Sequence, residues 1–158
     1  MTTIQKSALL PYSAAQMFAL VDDIAAYPQF LPWCKDARVF SRSADEVRAE
    51  IHIAHGPLNK AFSTTNRLQK DKMIEMRLAD GPFQHLEGFW NFVELRPASA
   101  PGLALPQASG PNPGCKISLE LDFKFSNKLI EMVIGPAFNH IGNTLVDAFC
   151  QRAKQVYG

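Results

Sequence analysis

The sequence predicts an α+β fold in which an antiparallel sheet wraps around one long helix. In KISLELDFKF, residues 116–125, apolar and polar residues alternate, which is typical of a strand with one buried and one solvated face. EVRAEIHI, residues 46–53, alternates in the same way. After Asn127 the apolar residues recur at steps of three or four as far as Val156, which predicts a helix with one apolar stripe. A sheet face and a helix stripe of this kind must cover each other.

The first half of the chain predicts a strand, a short helix and then a series of strands. Ser13 has the side chain of an N-cap and Gln16 stands at the capping-box position, so we expect a helix from residue 14 to Tyr27. From about Arg38 to Arg96 the apolar period is two. The further strands predicted in this region cover residues 61–68, 73–78 and 86–95.

Two segments interrupt the regular pattern in the second half of the chain. Residues 96–114 hold five of the eleven prolines and no periodicity, which predicts a mobile, solvent-exposed connection. The pair Gly135-Pro136 predicts a kink or break near the start of the terminal helix, because proline lacks the N–H that an interior helical position donates.

The segment YPQFLPWC, residues 27–34, is apolar although its two prolines oppose a regular helix or strand. It contains Tyr27, Phe30, Leu31 and Trp33. Leaving these four side chains in water would forgo about 2 to 3 kcal/mol each, so we expect them to contact the core, a ligand, a membrane or a partner.

Size and charge favour one cytoplasmic domain spanning residues 1–158. A chain of 158 residues, 47% hydrophobic, can bury a core without cross-links, and its formal charge of +1 gives no general attraction for nucleic acid or anionic lipid. The beginning resembles neither a secretory signal nor a presequence, and no apolar run is long enough to span a bilayer. Cys34, Cys115 and Cys150 are odd in number, widely separated and never in a C-x-x-C pair, which predicts free thiols in a reducing compartment.

Four sequence blocks in order resemble the coenzyme Q-binding and RatA-toxin branch of the START-like superfamily, which is also catalogued with polyketide cyclases. They are ALLPYSAAQMF (8–18), YPQFLPWC (27–34), DGPFQHLEGFWNF (80–92) and LDFKFSNKLIE (121–131), and the resemblance continues into the terminal helix. The resemblance implies a helix-grip fold, in which a curved sheet closes on the C-terminal helix and leaves an apolar tunnel. The segment 27–33 would then lie over one mouth of this tunnel.

The resemblance implies that apolar and aromatic residues line the tunnel and bind an isoprenoid or acyl chain, which gains about 0.8 kcal/mol per buried CH₂. The candidate ligand-binding residues are Tyr27, Phe30, Leu31, Trp33, Phe83, Leu86, Trp90, Phe92, Phe123, Phe125, Met132, Phe138, Ile141, Leu145 and Phe149. The alternative for each of them is ordinary core packing.

Metal binding and catalysis have little support in the sequence. His52 and His55 are three positions apart, an odd step, so a strand would place them on opposite faces, and we expect no metal site. No nucleophile, phosphate-binding or dinucleotide motif is present, and we expect no catalytic residue. For a cyclase-like reaction the polar candidates are Tyr12, Asn66, Arg67 and Arg77.

Three functions follow from the resemblance. The first is non-catalytic binding of a hydrophobic ligand, with ubiquinone as the expected one, by a carrier or chaperone that supports respiration and contacts the inner membrane transiently. The second is a toxin that binds the large ribosomal subunit and blocks its association with the small one. Such a toxin needs cationic contacts to phosphate, for which the candidates are Lys35, Arg38, Arg42, Lys70 and Lys72. The third is a cyclase-like enzyme. The first function is the main prediction, with no required cofactor and no DNA partner.

Overall fold

A computed structural model describes residues 2–95 and 114–158 and contains seven strands and two α-helices. The strands are β1 (Thr2–Leu10), β2 (Cys34–Arg42), β3 (Glu46–His55), β4 (Leu58–Gln69), β5 (Met73–Asp80), β6 (Phe83–Glu94) and β7 (Cys115–Phe125). The helices are α1 (Ala14–Asp22) and α2 (Lys128–Tyr157), and a 3₁₀ helix covers Ile24–Gln29. The predicted Pro-rich connection lies outside the described residues, apart from Gly114.

The strands form one curved antiparallel sheet in the order β1-β7-β6-β5-β4-β3-β2, and α2 lies in its concave face. On β7 the alternating residues Ile117, Leu119 and Leu121 are buried, whereas their neighbours Lys116 and Glu120 are exposed. The predicted α+β architecture with a sheet wrapped around the terminal helix is therefore confirmed.

The beginning of α1 forms as predicted, but its end does not. The Ser13 hydroxyl accepts from the Gln16 backbone N–H at 3.1 Å, and the Gln16 side-chain oxygen accepts from the Ser13 N–H at 2.8 Å. The α-helix ends at Asp22 rather than Tyr27, and the chain continues as the 3₁₀ helix that contains Pro28. This tighter helix turns Tyr27 inward, where its hydroxyl donates to the Val21 carbonyl.

Helix α2 is continuous through Gly135-Pro136, so of the kink or break predicted there the break does not occur. A proline at position 136 leaves the carbonyl of residue 132 without its helical donor. Pro136 is exposed and Met132 is 77% exposed, so water can satisfy this carbonyl. Leu129 and Val133 are exposed on the same first turns, and the buried stripe of α2 therefore begins only at Ile134.

The start of β2 was missed because its sequence has no clear alternation. The predicted strands began near Arg38, but β2 begins at Cys34, directly after the apolar segment. It is an edge strand that pairs only with β3, its register shifts twice, and most of its side chains are exposed. Such a strand has no buried face to impose a period of two.

Candidate functional site

An internal cavity lies between the concave face of the sheet and α2. Its volume is about 80 Å³. Residues from the 3₁₀ helix, the sheet and α2 line it: Ile24, Tyr27, Trp33, Ala49, Ile51, Ile53, Phe62, Thr64, Asn66, Met76, Leu86, Trp90, Leu121, Phe138, Ile141, Gly142, Leu145 and Phe149. Among the described residues, Tyr27 is the only ionisable side chain in this lining, and burial raises its pKa above the usual value.

Thr64 and Asn66 of β4 bring a hydroxyl and a carboxamide to the sheet side of the cavity. Both are buried, with 8% and 5% exposed, and the Thr64 hydroxyl donates to the Asn66 side-chain oxygen at 2.8 Å. Asn66 makes no other side-chain hydrogen bond within the described residues, although a carboxamide has two N–H donors. The Asn66 amide can therefore hydrogen-bond a polar group that enters the cavity.

The apolar segment 27–33 contributes partly to the core and partly to the surface. Tyr27 and Leu31 are buried, and the rings of Tyr27 and Phe30 pack on Phe149 of α2 with centroid separations of 5.4 and 5.3 Å. Phe30 and Trp33 are half-buried. Most of the apolar surface in YPQFLPWC thus covers the core, and Trp33 separates the internal cavity from an outer groove.

The outer groove runs along the solvent side of α2, next to segment 27–33 and the β3–β4 turn. Its volume is about 620 Å³. Its lining mixes rings, amides and charges: Phe30, Pro32, Trp33, His55, His140, Thr144, Asp147, Ala148, Gln151, Arg152 and Gln155. The rings of His55 and His140 are stacked, with centroids 5.6 Å apart and an interplanar angle of 11°.

The predicted ligand-binding residues fall into four places. The lining of the internal cavity includes Tyr27, Trp33, Leu86, Trp90, Phe138, Ile141, Leu145 and Phe149. Leu31, Phe83, Phe92, Phe123 and Phe125 are buried in the core, and Phe30 lines the outer groove. Met132 is on the exposed side of α2, outside the cavity wall to which its helical spacing assigned it.

Phe83, Phe123 and Phe125 form core because aromatic rings fill the space around this part of α2. Phe138 packs against Phe83 and Phe123 with centroids 4.9 and 4.8 Å apart, and Phe83 stacks on Phe125 at 5.2 Å. The cavity residues that the sequence analysis missed, such as Ile51, Phe62 and Met76, are on β3, β4 and β5. The sequence shows the alternation that turns these side chains toward the interior, but it does not show which of the interior side chains line empty space.

Of the polar residues considered for a cyclase-like reaction, only Asn66 lines the cavity. Arg67 is exposed, Arg77 is on the outer face in ion pairs with Glu75 and Glu87, and Tyr12 packs on Tyr157. Within residues 2–95 and 114–158, no three metal-ligating side chains come together. His52 contacts the Asn59 side chain, whereas His55 faces the outer groove.

The three cysteines are free, as predicted, and none is an activated nucleophile. Burial raises the pKa of Cys115 to about 12 and that of Cys34 to about 11, and it also raises the pKa of Cys150. The thiolate is the reactive form of cysteine, so these thiols are inert near neutral pH.

The basic residues considered for phosphate binding do not form one cluster. Lys35 is near the start of β2 and Arg42 is at its end, roughly 23 Å away for an extended strand. Lys70 and Lys72 follow β4 at the same end of the sheet as Arg42, because Leu68 donates to the Asp45 carbonyl. Arg38 and Arg42 are already paired with Asp36 and Asp22.

No membrane-spanning candidate is found in the described part of the chain, because none of its helices combines the necessary length and apolar character.

Comparison with known proteins identifies relatives over almost the whole chain. Residues 10–150 match the family described as polyketide cyclase / dehydrase and lipid transport. The ribosome association toxin RatA of Pseudomonas aeruginosa is 44% identical, over 99% of this chain and 99% of that protein. The mitochondrial coenzyme Q-binding protein COQ10 homolog B of Xenopus laevis is 27% identical, over 97% of this chain and 58% of that protein.

Solved structures share the architecture at low sequence identity. The crystal structure of the Zhui aromatase/cyclase from Streptomyces sp. R1128 matches with a TM-score of 0.74 at 12% identity, over 99% of this chain and 96% of that one. This likeness concerns the fold alone.

Proposed function

This chain belongs to the polyketide cyclase / dehydrase and lipid transport family, in its RatA and coenzyme Q-binding branch, and we propose that it is a ribosome association inhibitor. It would bind the large ribosomal subunit in the cytoplasm and block association with the small subunit. The observation that carries the proposal is the similarity to the Pseudomonas aeruginosa RatA toxin, which extends over 99% of both chains.

The internal cavity supports a binding protein rather than an enzyme. Its ionisable group, Tyr27, has its hydroxyl engaged by the Val21 carbonyl, and burial keeps this phenol neutral. General acid–base catalysis requires a group that can exchange a proton near the working pH. At about 80 Å³ the cavity is smaller than the roughly 300 to 1,000 Å³ of sites that enclose a drug-sized ligand, so a ligand of that size would enter only if lining side chains moved.

Subunit reassociation tests the ribosome proposal directly. Purified large and small subunits are mixed in magnesium buffer, and the intact ribosomes are measured by sedimentation. We expect the protein to reduce the intact ribosomes in proportion to its concentration when it is first incubated with large subunits. After incubation with small subunits and washing, it should have no effect. Unchanged reassociation at a severalfold excess of protein would contradict the proposal.

Binding of ubiquinone is a second proposal, supported by the apolar lining of the cavity and the Asn66 amide within it. The amide could donate a hydrogen bond to a quinone carbonyl, while the isoprenoid tail would have to displace Trp33 to reach the outer groove. The distant likeness to the Xenopus laevis coenzyme Q-binding protein also supports it.

Extraction of the protein tests the quinone proposal. The protein is purified without detergent from a quinone-producing host, extracted with organic solvent and measured by mass spectrometry. We expect near-stoichiometric ubiquinone from the wild type and at least a severalfold loss from Asn66→Leu, because leucine removes the donor at similar volume. Met132→Leu, on the exposed side of α2, is the control. A wild type that is empty and takes up no added ubiquinone would refute the proposal.

A further inference from the structure

Arg152 in the outer groove forms no ion pair with any carboxylate in the described part of the chain. Its Nη2 donates to Gln29 Oε1 at 3.0 Å, its Nη1 has a long contact of 3.5 Å to Gln155 Oε1, and its guanidinium carbon is 5.0 Å from the centroid of the Phe30 ring. Among the described residues no carboxylate oxygen lies within 4.0 Å of Arg152, whereas Arg42 and Arg77 are ion-paired. Arg152 is therefore held in place by neutral groups and retains N–H donors for an anion.

The other end of the groove presents aromatic surfaces. His55 and His140 are exposed with their rings stacked, and the half-buried Trp33 lies in the same lining. His140 and Arg152 are twelve residues apart on α2, about 18 Å along the helix. An occupant that contacts both ends must be extended, since a single compact ligand would reach only one of them.

This combination fits single-stranded RNA better than other anionic partners. Proteins bind unpaired RNA by stacking bases on aromatic rings, by hydrogen bonds to base edges and by cationic contacts to phosphate. The groove offers rings, the amides of Gln151 and Gln155, and one unpaired guanidinium. Asp147 in the lining repels carboxylates and phosphates alike, but its carboxylate can accept from a base amino group, a donor that acidic side chains lack.

We propose that the outer groove binds a single-stranded segment of large-subunit ribosomal RNA, with bases at Trp33, His55 and His140 and a backbone phosphate at Arg152. This inference rests on the proposed function and names the surface and the RNA element through which it would act. The surface expected to contact RNA is therefore the outer groove, and not the scattered lysines and arginines of β2 and the β4–β5 turn.

Binding to purified large subunits, measured by co-sedimentation, tests the groove. We expect Arg152→Gln and His140→Ala each to weaken binding about tenfold, and Arg152→Gln to lower the slope of log affinity against log salt by about one. Lys154→Gln is the matched control, because Lys154 is exposed in the last turn of α2, outside the groove, and its replacement removes the same charge. The control should bind within twofold of the wild type. Equal unfolding midpoints show that the variants are folded.

The outcomes separate the groove from the proposed function. If the wild type binds and both groove variants match the Lys154→Gln control, the groove is not the contact surface. A photo-crosslinking residue at position 155 should label ribosomal RNA, and labelling of ribosomal proteins alone would overturn the RNA assignment. If the wild type itself does not bind large subunits, the proposed function fails first, and the groove proposal fails with it.

Discussion

Replacing Phe149 with alanine is expected to lower the free energy of unfolding by about 4 kcal/mol. Phe149 is 1% exposed and its ring contacts three others, Tyr27, Phe30 and Trp90, with centroids 5.3 to 5.4 Å away. These rings belong to the 3₁₀ helix, the residue that follows it, and β6. Truncation therefore removes the contact that joins α2 to both the sheet and segment 27–33, and it leaves a hole beside the internal cavity.

Urea unfolding followed by tryptophan fluorescence measures this loss, because Trp90 lies against Phe149. Met132→Ala is the control on the same helix: Met132 is 77% exposed, and its truncation should change stability by less than about 0.5 kcal/mol. A loss below about 1 kcal/mol for Phe149→Ala would mean that the C-terminal half of α2 does not pack on the sheet as described.

Replacing Gly114 with alanine is expected to destabilise the protein by about 3 kcal/mol or more. Gly114 has φ +104°, a conformation that side chains disfavour, and an added Cβ would be 2.3 Å from the Leu10 carbonyl oxygen. Its own carbonyl accepts from the Leu95 N–H. Relieving the clash would therefore disturb both neighbours of β7, since β1 ends at Leu10 and β6 ends next to Leu95.

Gly56→Ala separates the two causes of this expected loss. Gly56 has φ +58° in the β3–β4 turn, and an added Cβ there would meet no atom within 4 Å. Gly56→Ala should lower the free energy of unfolding by only about 1 to 2 kcal/mol, which is the energy that alanine requires to adopt a left-handed backbone. Thermal unfolding of both variants gives the comparison. If they lose the same stability, the close approach of Gly114 to Leu10 contributes nothing.

The sequence predicted those parts of the fold that depend on local periodicity. The alternation in residues 46–53 and 116–125 identified β3 and β7, and the capping box at Ser13 and Gln16 identified the start of α1. The start of the edge strand β2 was missed, and the break that was one of the two outcomes expected at Pro136 does not occur. In both places the side chains face water, so the solvent rather than a buried face decides what the backbone can adopt.

The candidate sites were predicted less completely than the fold. The sequence placed Tyr27, Trp33 and Trp90 in an apolar interior, and the structure has all three in the lining of one cavity. Helical spacing also assigned Met132 to the wall, although the stripe of α2 becomes buried only at Ile134. Arg152 was not singled out at all, because one arginine in a helix has no distinguishing pattern.

By itself the sequence determined which residues are apolar on each strand and helix, and therefore that a sheet had to close on a terminal helix. Only the tertiary structure decided where that closure leaves space and which charges remain unpaired. The cavity collects residues from segments more than a hundred positions apart, such as Ile24 and Phe149, and the groove brings Arg152 to Gln29 and Phe30. Burial follows local periodicity, but a space or an unpaired charge depends on side chains that meet only when distant elements pack.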